Sequence, residues 1–290
     1  MRVHPRIPLV VLAAAAGSLA YSAAAAYSQE NVSAATAAKP NSSATPGTIR
    51  RTADGHPDLS GTWTYGIALP ATNLLRIVNG QTTKTQFDQS ARNKVWNDIP
   101  GALPWDKAPS YKPEYQERVK SLAANESKVD PVFYCAKPGT PRIGSPRKII
   151  QLPKETIFLY EDMSGDPYRI IPTDGRPHRA NANPSTYGDA IGHWEADTFV
   201  VESTNFTDDT WFGEDGYMHS DKMRVVERLW LSPEGNLLYQ TTVVDPEVLT
   251  KPWTNFARVI PPSNDAIEES PPCLEDDGHR LLNRDHHVQR

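Results

Sequence analysis

Proton-transferring side chains occur close together in one strand-like stretch of the chain. Because successive side chains of a strand point to opposite faces, His193 and Glu195 share one face and Trp194 lies on the other. A carboxylate beside an imidazole orients the ring and sets its tautomer, which suits a general base. Tyr187 adds a proton donor and Asp189 a further carboxylate. The alternative interpretation is a surface His–Glu pair at the end of a hairpin.

A carboxylate also falls on an otherwise apolar strand face. Alternation along residues 223–231 places Glu227 among Met, Val and Leu side chains. An unpaired buried carboxylate costs several kcal/mol, so Glu227 needs a partner or a raised pKa. On the next strand, Tyr239 and Thr241 offer hydroxyls to the same cavity. The alternatives are a shifted register that exposes Glu227, and an ordinary mixed face around Tyr239.

The loop 173–179 concentrates charge between two strands. Asp174 and Gly175 alone are explained by a turn. Arg176 and His178 are not, and loops at a barrel mouth commonly carry binding groups. We therefore expect Arg176 to hold an anionic or oxyanionic group, with His178 as a second candidate base.

His219 follows an aromatic loop, residues 211–218, which contains Trp211 and Phe212. So much apolar surface in a loop normally packs over something. The loop is either a lid over an apolar or aromatic ligand, or a plug at the open end of a barrel.

These patterns predict one site with two sets of residues. The predicted catalytic residues are His178, His193, Tyr187, Glu227 and His219. The predicted substrate-binding residues are Arg176, Asp174, Asp189, Glu195, Trp211, Phe212 and Tyr239.

Other familiar chemistries leave no signature in the sequence. There is no H-E-x-x-H, H-x-H or paired-cysteine pattern, so no metal is predicted. There is also no G-x-S-x-G, no phosphate-binding glycine loop and no dinucleotide fingerprint. We therefore expect no cofactor and chemistry by side chains alone.

The elements that position these residues are mostly strands. From residue 148 onward, short apolar runs alternate with turns, and two segments read as tight hairpins, 191–203 and 222–244. Further strands are predicted at 148–152, 156–160, 168–172 and 253–260. Two short helices are predicted in the N-terminal half, Thr85–Trp96 and Ser110–Ala124. The predicted fold class is mainly β: an antiparallel meander, closed as a lipocalin-like barrel or folded as a sandwich.

The start of the chain reads as an export signal. Arg2 and Arg6 precede an apolar run, and small residues follow, so residues 1–28 are predicted to be a cleaved signal peptide. Residues 29–50 lack large apolar side chains and are predicted to form a disordered tether. A single β-rich domain is expected over 51–279, followed by a flexible tail at 280–290. The expected location is secreted or periplasmic; the alternative is an uncleaved N-terminal anchor.

The charge excludes several partners. The whole chain carries −5, and removing residues 1–28 with their two arginines gives −5 − 2 = −7. An acidic chain without a basic block is a poor nucleic-acid binder and lacks a polybasic membrane anchor. We expect a small-molecule ligand or substrate, no nucleic acid, and no stable membrane insertion after signal cleavage.

The chain has two cysteines, Cys135 and Cys273. In an oxidising compartment an isolated pair normally forms a disulfide. The alternative is one free thiol acting as a nucleophile, which no local sequence supports.

Four stretches resemble a family of secreted bacterial proteins: residues 54–63 (DGHPDLSGTW), 174–178 (DGRPH), 187–198 (YGDAIGHWEADT) and 219–223 (HSDKM). The resemblance spans most of residues 54–275, implies one exported domain, and implies no reaction. The start at residues 61–63 (GTW) also resembles the first strand of lipocalin-type barrels.

Three functions are consistent with these features. The first is a metal-independent acid–base enzyme, a lyase, isomerase or hydrolase, that acts on a small aromatic or cyclic molecule in a barrel cavity. The second is a non-catalytic binding protein of lipocalin type, since both need an apolar cavity with a few polar groups. The third is an envelope-assembly or interaction domain. Convergence of His178, His193, His219 and Glu227 in one cavity favours the enzyme, and dispersal favours the other two.

Overall fold

The computed structural model describes residues 49–64, 74–78, 81–85 and 99–274. They belong to one unit of the chain, which begins at Ala44. The predicted signal peptide, most of the tether, the tail at 280–290 and the predicted helix Thr85–Trp96, except Thr85 itself, lie outside the described residues.

The described structure is mainly β, as the alternation predicts. Its strands are β1 Gly61–Trp63, β2 Leu74–Val78, β3 Gln81–Thr85, β4 Lys148–Leu152, β5 Glu155–Leu159, β6 Tyr168–Pro172, β7 Asp189–Glu195, β8 Thr198–Thr204, β9 Arg224–Leu231, β10 Leu237–Val244, β11 Trp253–Thr254, β12 Arg258–Ile260 and β13 Pro262–Ser263.

Two antiparallel sheets contain most of these strands. Sheet 1 has the order β13-β1-β4-β5-β6, and sheet 2 has the order β11-β10-β9-β8-β7, with β12 also paired to β10. Strands β2 and β3 pair separately as a hairpin. Both predicted hairpins are present, as β7–β8 and β9–β10.

The predicted strand 253–260 was wrong as one element. It is two short strands, β11 and β12, which both pair with β10. Between them the side chain of Asn255 accepts the backbone N–H of Phe256, and the Asn255 N–H bonds to Thr241 O. Residues 255–257 thus lie opposite only Gln240 and Thr241, so the chain bulges between the two strands.

Two helices are described, α1 Pro113–Ala124 and α2 Glu126–Val129, followed by a 3₁₀ helix at Pro131–Tyr134. Helix α1 corresponds to the predicted helix Ser110–Ala124. It begins three residues later because Pro113 lies in its first turn, where a missing N–H costs nothing. No described helix is long and apolar enough to cross a membrane.

The two sheets share one apolar core. Strands of both contribute buried side chains, among them Ile149, Phe158, Phe199, Leu229 and Leu237. Strands β6 and β7 contact each other across the sheets, but they belong to different hydrogen-bonded sheets, so the ladders of the described strands do not close into a ring.

A second core lies beyond the first, around the aromatic loop. Trp211, Phe212 and Met218 are buried there with Val225 and Val243. Residues of α1 pack against this cluster from outside. The apolar side chains of the loop are therefore part of a packed core.

The predicted disulfide is confirmed. Cys135 and Cys273 are bonded, with their Cα atoms 5.6 Å apart. The bond joins the end of the 3₁₀ helix to the last described stretch of the chain, whose Cys273 N–H also bonds to Met163 O.

Candidate functional site

An ion pair is buried between the two sheets. Glu227 on β9 is fully buried, and its Oε2 lies 2.6 Å from Nη2 of Arg169 on β6. The two atoms form an ion pair but not a hydrogen bond, because no donor among the described residues is well aligned with Oε2. The apolar core therefore contains one carboxylate and one guanidinium, and each neutralises the charge of the other.

Three hydroxyls complete this cluster. Tyr239 Oη donates to Glu227 Oε1 over 2.9 Å. Arg169 donates from Nη2 to Ser203 Oγ over 2.8 Å and from Nη1 to Tyr160 Oη over 3.2 Å. We call Arg169, Glu227, Tyr160, Tyr239 and Ser203 the polar core.

Three groups of the polar core hold their protons firmly. Burial raises the pKa of Tyr239 well above that of a free tyrosine, and the pKa of Tyr160 is raised for the same reason. Burial by itself lowers the pKa of Arg169, but the combined effects of Glu227 and Tyr160 outweigh it, so this pKa is also raised. At neutral pH these three residues are hydrogen-bond donors.

A cavity of about 200 Å³ lies between residues of the aromatic loop and Tyr239 of the polar core. We call it the end cavity. Tyr239 and Thr241 of β10 line it, and in the β9–β10 register Thr241 lies opposite Glu227. Three of its aromatic lining residues, Phe212, Tyr217 and Trp253, have ring centroids 5.5–6.0 Å apart.

Charged side chains also line the end cavity. Arg142 is held by a fork of hydrogen bonds, 2.7 Å and 2.5 Å, to the fully buried Asp130. The guanidinium of Arg258 lies 5.8 Å from the ring centroid of Phe256. Glu214 belongs to the aromatic loop. Fixed charges around an aromatic cavity select ligands by polarity as well as size.

A larger cleft of about 560 Å³ lies between β6 and β7, where the two sheets do not pair. We call it the seam cleft. Arg169 lines it and therefore belongs to both the polar core and the cleft. Three of the predicted site residues, Arg176, Tyr187 and Asp189, line it too.

Comparisons with protein-family models, with curated proteins and with solved structures found no match for this chain.

The predicted histidines do not converge. His178 packs between two carboxylates, with Nδ1 3.1 Å from Asp189 Oδ2 and Nε2 3.6 Å from Glu202 Oε1. His193 lies 3.4 Å from Glu195 on the exposed outer face of sheet 2, and Glu195 also pairs with Arg228. The face of β9 that carries Glu227 is the opposite one, because Glu227 pairs with Val201 whereas His193 pairs with Val200.

His219 occupies a third location, buried near the aromatic loop. Its Nδ1 lies 3.0 Å from Ser220 O and its Nε2 3.0 Å from Thr210 Oγ1. A carbonyl only accepts, so Nδ1 carries the proton and Nε2 accepts from the threonine hydroxyl. Burial lowers the pKa of His219, which keeps the ring neutral.

Of the remaining predicted residues, only Phe212 and Tyr239 line either of these two cavities. Phe212 and Tyr239 line the end cavity, and Trp211 is buried beside it in the second core. Asp174 forms a two-point contact with Arg176, which holds the pKa of the Asp174 carboxyl at about 2.

Arg169, Tyr160 and Ser203 were not among the residues predicted from the sequence. Arg169 shares a strand face with Ile171, and that alternation was a readable sign that a cation faces the core. Ser203 follows Phe199 and Val201 by the same rule. Arg258 shares a face of β12 with the buried Ile260, so the same rule applies to it. Arg142 lies outside the strands and had no such sign.

Within the described residues, no three His, Cys, Asp or Glu side chains come together as a metal site.

Proposed function

We propose that this domain is a small-molecule-binding protein of lipocalin-like type, whose ligand occupies the end cavity. The observation that carries the proposal is the combination of aromatic lining residues with two buried hydroxyl-bearing residues, Tyr239 and Thr241, in one cavity. Small-molecule sites in proteins are mostly apolar, with a few fixed polar groups that orient the ligand.

We infer that the two sheets form one barrel that is open along a single seam. The chain passes from β12 in sheet 2 to β13 in sheet 1 through Pro261 alone, which ties the sheets together on one side. On the other side β6 and β7 are in contact without pairing. A sandwich of two independent sheets has no need of either connection.

The size of the end cavity suits one substituted ring. A cavity of roughly 150 Å³ lined by apolar side chains holds benzene, and the end cavity measures about 200 Å³. Tyr239 donates its own proton to Glu227, so its oxygen is left as an acceptor. The favoured ligand is therefore a small aromatic or cyclic molecule that bears a hydroxyl group.

Binding explains the polar core better than acid–base catalysis does. A proton-transfer group works best with a pKa near the working pH. Tyr239, Tyr160 and Arg169 all have pKa values raised away from neutrality, and the histidines lie outside the end cavity. These groups are suited to holding a ligand in one orientation.

The test is a direct binding measurement on the mature protein. We expect phenol, benzyl alcohol or cyclohexanol to bind by calorimetry and to change the fluorescence of Trp253. Thr241→Leu, which fills the cavity, is expected to weaken binding at least tenfold, whereas Tyr168→Phe on the exposed outer face leaves it unchanged. The proposal fails if no member of such a panel binds, or if binding survives in a folded Thr241→Leu variant.

The acid–base enzyme is the second candidate, because one predicted dyad is formed. His178 contacts Asp189, and Asp189 lines the seam cleft. The test is turnover on a panel of aromatic and cyclic substrates by His178→Ala, with His193→Ala as the matched control. Activity that is lost only in His178→Ala supports this candidate; equal activity in both variants and the unmodified protein eliminates His178 as the base.

A further inference from the structure

We propose that the seam cleft is a second binding site, for a small organic anion with a carboxylate or sulfonate group on an apolar body. It is a different cavity from the end cavity, so this inference does not depend on the function proposed above. Its evidence is a surplus of hydrogen-bond donors beside an apolar wall, in a cleft of about 560 Å³. That volume lies within the usual range for small-molecule sites, roughly 300–1,000 Å³.

Two arginines of the loop after β6 line the cleft with part of their donor capacity unused. Arg179 donates to Asp189 from Nε and from its backbone N–H. Arg176 donates to Asp174 from Nε and Nη2. Among the described residues, no acceptor is bonded to the terminal nitrogens of Arg179 or to Nη1 of Arg176. A guanidinium fork with free nitrogens matches the two oxygens of a carboxylate.

Two further donors lie deeper and also lack acceptors. In the described part of the chain, Nε of the buried Arg169 has no hydrogen-bond partner. The Tyr187 hydroxyl approaches Ser164 without making a hydrogen bond of normal geometry. A buried donor left unpaired costs about 1–3 kcal/mol. The cleft thus contains several hydrogen-bond donors for which the described residues provide no acceptor.

An apolar wall lies opposite these donors. Ile170 and Pro172 of β6 face the cleft from one side and Ile191 of β7 from the other. Ile170 is half exposed, so a ligand that covers it removes apolar surface from water. An inorganic anion has no apolar surface to bury against this wall, so the wall favours an anion that carries a hydrocarbon body.

The test compares three probes by calorimetry on the full mature protein: 1-naphthoate, its neutral analogue 1-naphthalenemethanol, and inorganic phosphate. We expect 1-naphthoate to bind best, and to bind more weakly as ionic strength rises. Equal binding of the neutral analogue overturns the anionic part of the proposal. Equal binding of phosphate overturns the organic part.

Two variants locate the site. Arg179→Gln and Arg176→Gln are each expected to weaken 1-naphthoate binding roughly tenfold, the effect of losing a charge-assisted hydrogen bond. The matched control is Arg228→Gln, which removes an arginine that pairs with Glu195 outside the cleft and is expected to change binding less than about twofold. Unchanged binding in both cleft variants overturns the proposal.

Folding and the end cavity serve as internal checks. Arg179→Lys keeps the charge but not the fork, so it is expected to bind with intermediate affinity even if Arg179→Gln is poorly folded. Binding of the hydroxyl-bearing ring ligand to the end cavity is expected to persist in the cleft variants. If that binding is absent from the start while 1-naphthoate still binds, only the function proposed for the end cavity fails.

Discussion

The buried pair of Arg169 and Glu227 is the most demanding feature at the scale of single residues. Each ion loses its hydration on burial, and the attraction between them offsets that loss only while both are present. Tyr239, Tyr160 and Ser203 satisfy further polar atoms of the pair. The five residues are therefore expected to behave energetically as a unit.

Removing one partner is predicted to cost more than removing both. Arg169→Met leaves Glu227 as an uncompensated buried charge, so we expect the free energy of unfolding to fall by about 3–5 kcal/mol. The double variant Arg169→Met/Glu227→Leu is expected to recover at least half of that loss, as measured by urea unfolding. Arg224→Met, which breaks a partly exposed pair with Glu202, is the control and is expected to cost less than about 1 kcal/mol. A small loss of stability in the single variant Arg169→Met would contradict the expectation that Arg169 and Glu227 depend on each other.

His219 predicts a pH dependence of stability. Burial lowers its pKa in the folded state, so below the unfolded value, about 6.5, the unfolded chain binds a proton that the folded chain does not. Stability from this group is therefore full above pH 7.5 and decreases as the pH falls through 6.5. Between pH 6.5 and 5 we expect the unmodified protein to lose up to ~1.4 kcal/mol per pH unit more than His219→Gln does.

Unfolding curves at several pH values check this prediction. The exposed His193 supplies the control, since His193→Gln is expected to lose stability at acid pH as the unmodified protein does. An identical pH dependence in His219→Gln and the unmodified protein would show that the folded domain protonates His219 as easily as the unfolded chain does.

At the scale of elements, β7 depends on a glycine. The interior face of β7 carries Gly192 opposite Val201, next to the ring of Phe199. A Cβ atom on Gly192 would lie 2.6 Å from Phe199 Cζ and 2.9 Å from Ile171 Cγ2. The missing side chain is what lets β7 approach the core residues of both sheets.

Gly192→Ala is therefore predicted to lower the free energy of unfolding by about 1–3 kcal/mol, since the added methyl group overpacks the core. Chemical denaturation measures this effect. His193→Ala, one residue along the same strand on the exposed face, is the control and is expected to change stability by less than about 0.5 kcal/mol. Equal stability of the two variants would mean that Phe199 and Ile171 move aside without cost.

At the scale of the whole molecule, the disulfide links distant parts of the chain. Its two cysteines are 138 residues apart in sequence. In the chain-entropy model, a cross-link that closes so long a loop stabilises the folded state chiefly by restricting the unfolded chain. A separate backbone hydrogen bond, from Cys273 N–H to Met163 O, holds the same stretch to the turn between β5 and β6.

Replacing both cysteines by alanine is predicted to lower the free energy of unfolding by about 2–5 kcal/mol. Hydrogen exchange is expected to increase first in residues 264–273 and less in β8 and β9, whose core positions Val201 and Leu229 are fully buried. The unmodified protein treated with reductant is the matched comparison, and the double variant is expected to be insensitive to reductant. Unchanged exchange in residues 264–273 would show that their backbone contacts suffice without the cross-link.

The sequence by itself determined the local features of this protein. Two-residue periodicity gave the strands and hairpins around His193, Glu227 and Tyr239, because that period is a property of the extended backbone. It also placed Glu227 on an apolar face, and the isolated cysteine pair predicted the disulfide. Arg169 was within reach of the same rule.

Only the tertiary structure decided which of these residues meet. His193 and Glu227 lie on neighbouring parts of one sheet but on opposite faces. A shift of one residue in strand register would place them on the same face. Arg169 pairs with Glu227 across two sheets that are not hydrogen-bonded to each other between β6 and β7. Such contacts depend on how the sheets pack, which no local pattern encodes. The residues predicted to form a single site are therefore divided between the end cavity, the seam cleft and three separate histidine environments.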